Sequence, residues 1–330
     1  MAVELKIGTP RADIIKSPEQ KNPGLKLLFN GQGDGAAQVF KRLLEEGHEI
    51  VGVVTTKNEE DPLRKLALEH NLPIVNLARV NKEEEVERMK KWGADLGVGF
   101  YLQAQLNQGV YSIPEFGTMN FHLSPLPKRR GRDSMNWGIL KGDKKLGASW
   151  FLMSKKIDAG PIARQITFKN NGKSQGAQYF EHLEEFVEHT VDAVNEMSEA
   201  IHKRRESGNK ARLPLVPQIP KEVTEDPRLG LKHTRVRPNI LTAETGYNRI
   251  QAGGPGAWIM QKEAKGRIFL SKPSLDTSGL VLVPGETAVI DKGLAIGMKR
   301  GVLIAGAVGK GPKDRLSPRD FIDQYGPIKF

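Results

Sequence analysis

The chain has 330 residues, with 50 Lys+Arg against 39 Asp+Glu for a formal net charge of +11, and no cysteine. That length suggests roughly two domains at about 150 residues each. The missing thiols exclude disulfides, cysteine-ligated metal sites and thiol nucleophiles. No apolar run approaches the ~20 residues of a membrane-spanning helix. The first 24 residues carry Glu4, Asp13 and Glu19 without an apolar stretch, unlike a secretory signal. These features predict a protein of the cytoplasm or an organellar matrix, with no membrane partner.

In chain order, residues 1–24 read as an irregular N-terminal extension. Leu25–Phe29 is an apolar strand ending in a glycine turn, Gly31-Gln32-Gly33-Asp34-Gly35. A helix follows with Ala36, Val39, Phe40, Leu43 and Leu44 on one face, then a second strand, Ile50–Val54. Strand, turn, helix and strand make a parallel βαβ unit. The alternation continues through helices at 62–70 and 82–91 and strands Pro73–Val75, Leu96–Phe100, Met119–Phe121 and Ala148–Met153. The expected fold is α/β on a largely parallel sheet.

The glycine turn departs from a dinucleotide fingerprint. Its third glycine comes one position early, and the second strand ends Val54-Thr55-Thr56 without the carboxylate that would hold a ribose.

Residues 176–206 read as one long helix with a core stripe of Phe180, Leu183, Val187, Val191, Val194 and Ile201. His182, Glu185 and His189 share another face, which a solvated helix surface explains better than a metal; no metal site is expected. From Pro214 to Pro238 five prolines interrupt a basic stretch without periodicity, an extended linker over 208–241. A short helix near Thr242–Ile250 precedes strands at Trp258–Gln261, Arg267–Leu270, Gly279–Val283, Ala288–Asp291, Leu294–Ile296 and Val302–Ala305. Their spacing predicts a small β-barrel over 242–330, after a first domain over 25–207. The charge is unevenly placed. Residues 201–330 hold 23 Lys+Arg and 12 Asp+Glu, so the whole excess is C-terminal and the rest is neutral. Such a surface can keep a protein soluble or face a polyanion.

The densest polar chemistry is Asn120-Phe121-His122-Leu123-Ser124-Pro125-Leu126-Pro127-Lys128-Arg129-Arg130-Gly131. Alternation along a strand puts Asn120 and His122 on one side. An amide beside an imidazole suits carbonyl polarisation and proton transfer. Asp158, in Ile157-Asp158-Ala159-Gly160, follows another apolar strand and could deliver a carboxylate to that imidazole.

These elements together resemble the 10-formyltetrahydrofolate-dependent formyltransferases: Asn120-x-His122, the Ser-Pro-Leu-Pro turn, the basic run to Gly131, and Asp158 located 36 residues after His122. Gly47–Val54, Asn136-Trp137, Lys141–Gly147, Tyr247–Ile250 and Pro255–Trp258 extend the similarity. The resemblance implies a Rossmann-like catalytic domain followed by an OB-like barrel, with 10-formyltetrahydrofolate as formyl donor. It implies that Asn120 and His122 stabilise a tetrahedral oxyanion while Asp158 orients His122 and assists proton removal. It assigns the folate to Phe100, Tyr101, Leu102, Gln103 and Ala104, to Ser124, Pro125, Leu126 and Pro127, and to Met153, Ile157 and Gly160. Pro125 stands where most relatives have Leu, which removes a backbone N–H from that turn.

The acceptor divides the family. The hydrolytic member lacks the Asn of the Asn-x-His pattern, so Asn120 favours transfer. The tRNA-formylating member carries a basic insertion after the second strand, whereas Thr55–Pro62 is short and acidic. The expectation is therefore a small amine, an amino sugar or a hydroxylated amino acid. Initiator tRNA, gripped by the basic C-terminal part, is the next reading. Hydrolysis, or an inactive RNA- or ribosome-associated factor, follows.

Overall fold

The computed structural model describes residues 24–102, 104–253, 256–260, 267–312, 314–325, 328 and 330. The predicted N-terminal extension lies outside them but for Gly24, as do the folate candidate Gln103 and the expected strand residue Gln261.

The first half alternates strand and helix. It runs β1 Lys26–Gly31, α1 Gly33–Glu45, β2 Glu49–Thr55, α2 Pro62–Glu69, β3 Ile74–Asn76, α3 Glu83–Lys90, β4 Leu96–Phe100, α4 Gln108–Tyr111 and β5 Thr118–His122. Next come α5 Ser134–Lys141, β6 Lys145–Leu152, β7 Ile162–Lys169, α6 Gln175–Glu181 and α7 Leu183–Glu206. The seven strands form one sheet in the order β3-β2-β1-β4-β5-β6-β7. Those from β3 to β5 pair in parallel and β6 runs antiparallel to β5. β1 and β4 are covered on both faces, which is why they read as unbroken apolar runs.

The C-terminal part holds α8 Leu231–Thr234, α9 Ala243–Gln251, β8 Ala257–Met260, β9 Arg267–Leu275, β10 Thr287–Ile290, β11 Gly293–Gly297, β12 Val302–Gly309 and α10 Pro318–Tyr325. Its strands pair antiparallel in the order β10-β11-β12-β9-β8. Ile259, Ile268, Leu294, Ile296, Leu303 and Phe321 are buried in its core.

The chain forms two compact units. One holds residues up to Arg130, Gly147–Thr167 and Glu181–Thr224; the other holds Gly131–Leu146, Phe168–Phe180 and Glu225–Phe330.

Two expectations are corrected. The helix over 176–206 is broken at His182, where φ is −105° and ψ 9°, giving α6 and α7. Phe180 consequently leaves the stripe and is 66% exposed, while Phe186 is buried against Phe121. Gly279–Val283 is not a strand: it lies in no ladder, and Val281 is 87% exposed. Asp276 instead accepts from the backbone N–H of Ser278 (3.2 Å) and Leu280 (2.9 Å), which curls this stretch into a turn. Among the described residues no helix is long and apolar enough to cross a membrane.

In the first unit a buried histidine ties the start of β1 to α7. His48 Nδ1 accepts from the Leu25 N–H (3.1 Å), and Nε2 faces Asn195 Oδ1 at 2.9 Å. Because Nδ1 is an acceptor here, Nε2 carries the proton and the ring is neutral. Burial holds its pKa below the ordinary 6.5, against the opposing effect of the hydrogen bond it donates to Asn195 Oδ1. The unfolded chain therefore binds the proton more readily than the folded one. This contribution to stability is complete above the unfolded-chain value of about 6.5 and is lost as pH falls from there through the lowered folded-state pKa. Urea midpoints should fall between pH 7.5 and 5.5 by more in the wild type than in His48→Gln; equal falls would remove His48 from the account.

Candidate active site

β5 carries the centre of the site, because its residues alternate. Phe121 points into the core, stacked on Phe100 at 4.5 Å, while Asn120 and His122 are both only partly buried. The strand ends at the carboxyl edge of the sheet, where ligands of open α/β folds gather.

Asn120 is seated over a gap in β4. It pairs with Gly99, and a Cβ there would lie 2.6 Å from Asn120 Oδ1. That oxygen is buried and has no hydrogen-bond partner. A buried amide atom left unmet is costly, and its retention points to a ligand that completes it.

His122 is fixed from one side. Its Nε2 lies 3.1 Å from the Arg129 carbonyl, an acceptor only, so Nε2 is the protonated nitrogen. Nδ1 faces the Asp158 carboxylate at 3.7 Å, with both side chains largely buried. The structure thus brings His122 and Asp158, 36 residues apart, into ion-pair range. Asp158 has φ +49° and Arg129 φ +57°, left-handed conformations uncommon for residues with a side chain. Such positions persist where surrounding contacts over-determine them, and they cluster at functional sites.

The candidate folate residues fall into two groups. Phe100 is fully buried, and Ser124, Leu126, Pro127 and Gly160 are also buried, so these contribute backbone or wall rather than an open side chain. Ser124 Oγ donates to the Lys128 carbonyl at 2.8 Å, and the Leu126 N–H donates to Ser149 Oγ at 3.0 Å. Leu126 O accepts from Gln165 Nε2 at 2.7 Å. The turn is therefore stiffened by its own bonds, with Pro125 half-buried above Gly147. The second group presents apolar surface. Tyr101 and Ile157 are exposed, and Leu102 and Met153 pack half-buried on one cluster beneath β1 and β2; Ala104 is half-buried.

Sequence reasoning missed the residues that hold this arrangement. The stretch after α7, read as linker, runs across the loops of the first unit as an extended strap. Val216 pairs with Ile162 through two bonds of 2.8 Å. Gln218 Nε2 donates to the carbonyls of Asp158 and Gly160, each at 2.8 Å. Gln218 Oε1 accepts from Arg130 Nε at 3.2 Å and Nη2 at 2.6 Å. Thr224 holds Arg129 N (2.8 Å, through Oγ1) and Arg130 N (2.9 Å, through its carbonyl). These contacts use backbone carbonyls and single side chains, which leave no periodic trace.

The glycine turn is closed to phosphate by the protein's own anion. Asp61 Oδ2 accepts from Gly33 N at 2.8 Å at the start of α1, and Oδ1 accepts from Arg64 N at 3.2 Å at the start of α2. Its carboxylate fills the position that a helix N-terminus would otherwise offer to a phosphate. His182 and Glu185 bond each other at 3.0 Å, and His189 Nδ1 accepts from Arg164 Nε at 2.9 Å. Among the described residues no group of His, Asp and Glu is disposed to hold a metal ion.

A family model described as formyl transferase matches residues 25–171. Among known sequences, the methionyl-tRNA formyltransferase of Bacteroides thetaiotaomicron is 31% identical over 155 residues, 44% of this chain and 48% of that protein. The match thus spans about half the length of that relative. Among solved structures, HypX from Aquifex aeolicus in complex with tetrahydrofolic acid superposes with a TM-score of 0.64 at 19% identity. It covers 92% of this chain and 47% of that one. The N-formyltransferase from Helicobacter canadensis, in complex with folinic acid and dTDP-3-aminofucose, gives 0.60 at 15% identity, covering 85% and 98%. At these identities the structural matches establish shared architecture.

Proposed function

We propose, for a chain whose residues 25–171 belong to the formyl transferase family, that the protein moves a formyl group from 10-formyltetrahydrofolate to the amino group of a small acceptor. The acceptor we favour is an amino sugar or a hydroxylated amino acid. The observation that carries the transfer reading is the His122–Asp158 pair at the end of β5, with Asn120 on the same side of that strand. The unmet Asn120 Oδ1 is an acceptor, open to an N–H of the incoming amine. The folate, when bound, supplies an activated formyl carbon. Half-buried and exposed apolar groups at Tyr101, Leu102, Met153 and Ile157 suit a flat heterocycle, with the stiff turn at 124–127 as a wall.

Within this reading Asn120 donates through Nδ2 to the formyl oxygen as negative charge gathers there. His122 Nδ1 takes up the proton that the attacking amine releases, and Asp158 stabilises the resulting imidazolium. The new bond joins the amine nitrogen to the formyl carbon, the bond to N10 of the folate breaks, and N10 leaves with the proton that His122 returns, which restores the neutral imidazole.

The small-acceptor reading is supported by the connection from β2 to α2. It spans residues 56–61 and contains Glu59, Glu60 and Asp61. Asn58 N donates to Thr56 Oγ1 and Glu60 N to Asn58 Oδ1, both at 3.2 Å, before Asp61 is used as a cap. A short, acidic, internally bonded connection is a poor arm for a polyanion. The second reading, initiator tRNA, is favoured by the names of the sequence relatives and by the +11 of residues 201–330. We also read the C-terminal antiparallel sheet as OB-like, which would suit that role.

An acceptor screen separates the readings. The protein is incubated with 10-formyltetrahydrofolate plus amino sugars, hydroxyornithine, methionylated initiator tRNA or buffer alone. Release of tetrahydrofolate should depend on a small amine. Equal release in buffer alone would make the protein a hydrolase. Formylation confined to tRNA, with a binding slope near −0.9 per phosphate contact in a log–log salt plot, would install the second reading.

A further inference from the structure

We propose that Gln218 is a positioning residue for the transfer reaction: from the strap after α7 it holds Asp158 opposite His122, and through Arg130 and Thr224 the same strap fixes His122. The proposal rests on the formyl-transfer reading of the Asn120–His122–Asp158 site.

The Gln218 side chain is fully committed. Its amide N–H groups go to the carbonyls of Asp158 and Gly160, each at 2.8 Å, and its oxygen accepts two bonds from the Arg130 guanidinium. Because carbonyls only accept and arginine only donates, this network admits one orientation of the amide. Arg130 is only 6% exposed, so Gln218 Oε1 is the neutral partner that lets a guanidinium lie inside the unit.

Asp158 needs such a brace. Its backbone sits at φ +49°, and Gly160 two residues on is buried with the Leu152 carbonyl packed directly over its Cα. Two hydrogen bonds from one amide to residues 158 and 160 clamp the turn at both ends. They thereby set where the carboxylate points, which is toward His122 Nδ1 at 3.7 Å.

The other member of the pair is tethered to the same segment. His122 Nε2 bonds the Arg129 carbonyl, and the Arg129 and Arg130 N–H groups bond Thr224. The strap is itself pinned where Val216 pairs with Ile162. Imidazole and carboxylate come from loops far apart in sequence, and one strap, six residues from Gln218 to Thr224, ties both. A displacement of about 1 Å in a catalytic constellation costs roughly 10²-fold in rate.

The test is a double-mutant cycle in the full-length protein. Gln218→Leu keeps the volume and removes every bond. With 10-formyltetrahydrofolate and the acceptor found in the screen, it should lower kcat by about 10²-fold while KM for the folate changes little. In an Asp158→Asn background the same substitution should cost no more than about twofold, since Gln218 acts through Asp158. Lys221→Ala, an exposed change on the same strap, should match wild type. If Gln218→Leu does not fold, Gln218→Asn, one methylene shorter, replaces it in the cycle. A folded Gln218 variant with wild-type kcat overturns the proposal. So does a full, multiplicative loss in the Asp158→Asn background, which would mark a general structural role.

A readout without turnover keeps the two levels apart. Amide hydrogen exchange over residues 154–161 should quicken in Gln218→Leu and not in Lys221→Ala. Quickened exchange in a protein that shows no transfer to any acceptor would remove the reaction while leaving the brace. Unchanged exchange in an active enzyme would remove the brace alone.

Discussion

Asn120→Ala is expected to lower formyl transfer by roughly 10²–10³-fold, equivalent to about 2.7–4 kcal/mol of transition-state stabilisation, with no loss of thermal stability. The second half of that expectation follows from the first unit's own packing. Asn120 Oδ1 is buried without a partner, so truncation at this atom breaks no hydrogen bond and relieves an unmet one. A residue whose removal leaves folding intact or improved, but abolishes turnover, is held for a ligand. The loss should appear in kcat rather than in KM for the folate, because the oxyanion exists only during reaction. Steady-state kinetics and a melting curve on the same preparation check both halves. A variant that melts lower and turns over normally would reduce Asn120 to a packing residue.

Gly160→Ala should be the most damaging single-methyl addition in the site. The new Cβ would fall far inside van der Waals contact of the Leu152 carbonyl at the end of β6, and backbone cannot swing aside as a flexible side chain can. Overpacking of this kind costs about 1–3 kcal/mol and occasionally more. The strain must be relieved by moving the 158–160 turn, which carries Asp158 and receives both Gln218 bonds. Activity should therefore fall by about 10²-fold even where the protein still folds. Gly176→Ala provides the contrast. Gly176 lies inside α6 with ordinary φ and nothing within 4 Å of its would-be Cβ. Replacing it should raise stability by about 0.4–1 kcal/mol through the unfolded chain and leave turnover alone. Urea unfolding and initial rates on the two variants make the comparison; equal behaviour would contradict the steric argument.

The parts of the fold that were legible in the sequence are those where one force dominates. β1 and β4 are buried on both sides, and α1 shows a single apolar face, so composition and period suffice. β7 escaped because residues 162–166 are all half-buried, giving neither an apolar run nor clean alternation. α5 escaped for the opposite reason. Met135, Trp137, Gly138 and Ile139 are buried around most of the helix, and no polar face marks its period. Gly279–Val283 misled because Val281 and Val283 look like strand residues, yet they find no partner strand and stay in solvent. At the site, the shared side of Asn120 and His122 followed from strand alternation. Asp158 could be named as a carboxylate able to reach His122, but with 35 residues between them no local rule shows that the two meet. Gln218 and Arg130 were invisible: one sat in a proline-rich stretch, the other in a basic run where burial of one arginine in three leaves no mark.

The division of the chain into two units also bears on how the protein comes off the ribosome. The path passes between the units five times, at residues 130, 146, 167, 180 and 224. Segments Gly131–Leu146 and Phe168–Phe180 emerge early but belong to a body whose main part is synthesised last. At about 5–20 residues per second, they wait on the order of ten to thirty seconds for the rest of it. During that interval Trp137, Ile139 and Tyr179, buried in the finished protein, lack much of the body that will cover them. Cutting the gene at either end of the strap would make that wait permanent, so a shortened first unit should emerge as a client of chaperones rather than as a working enzyme.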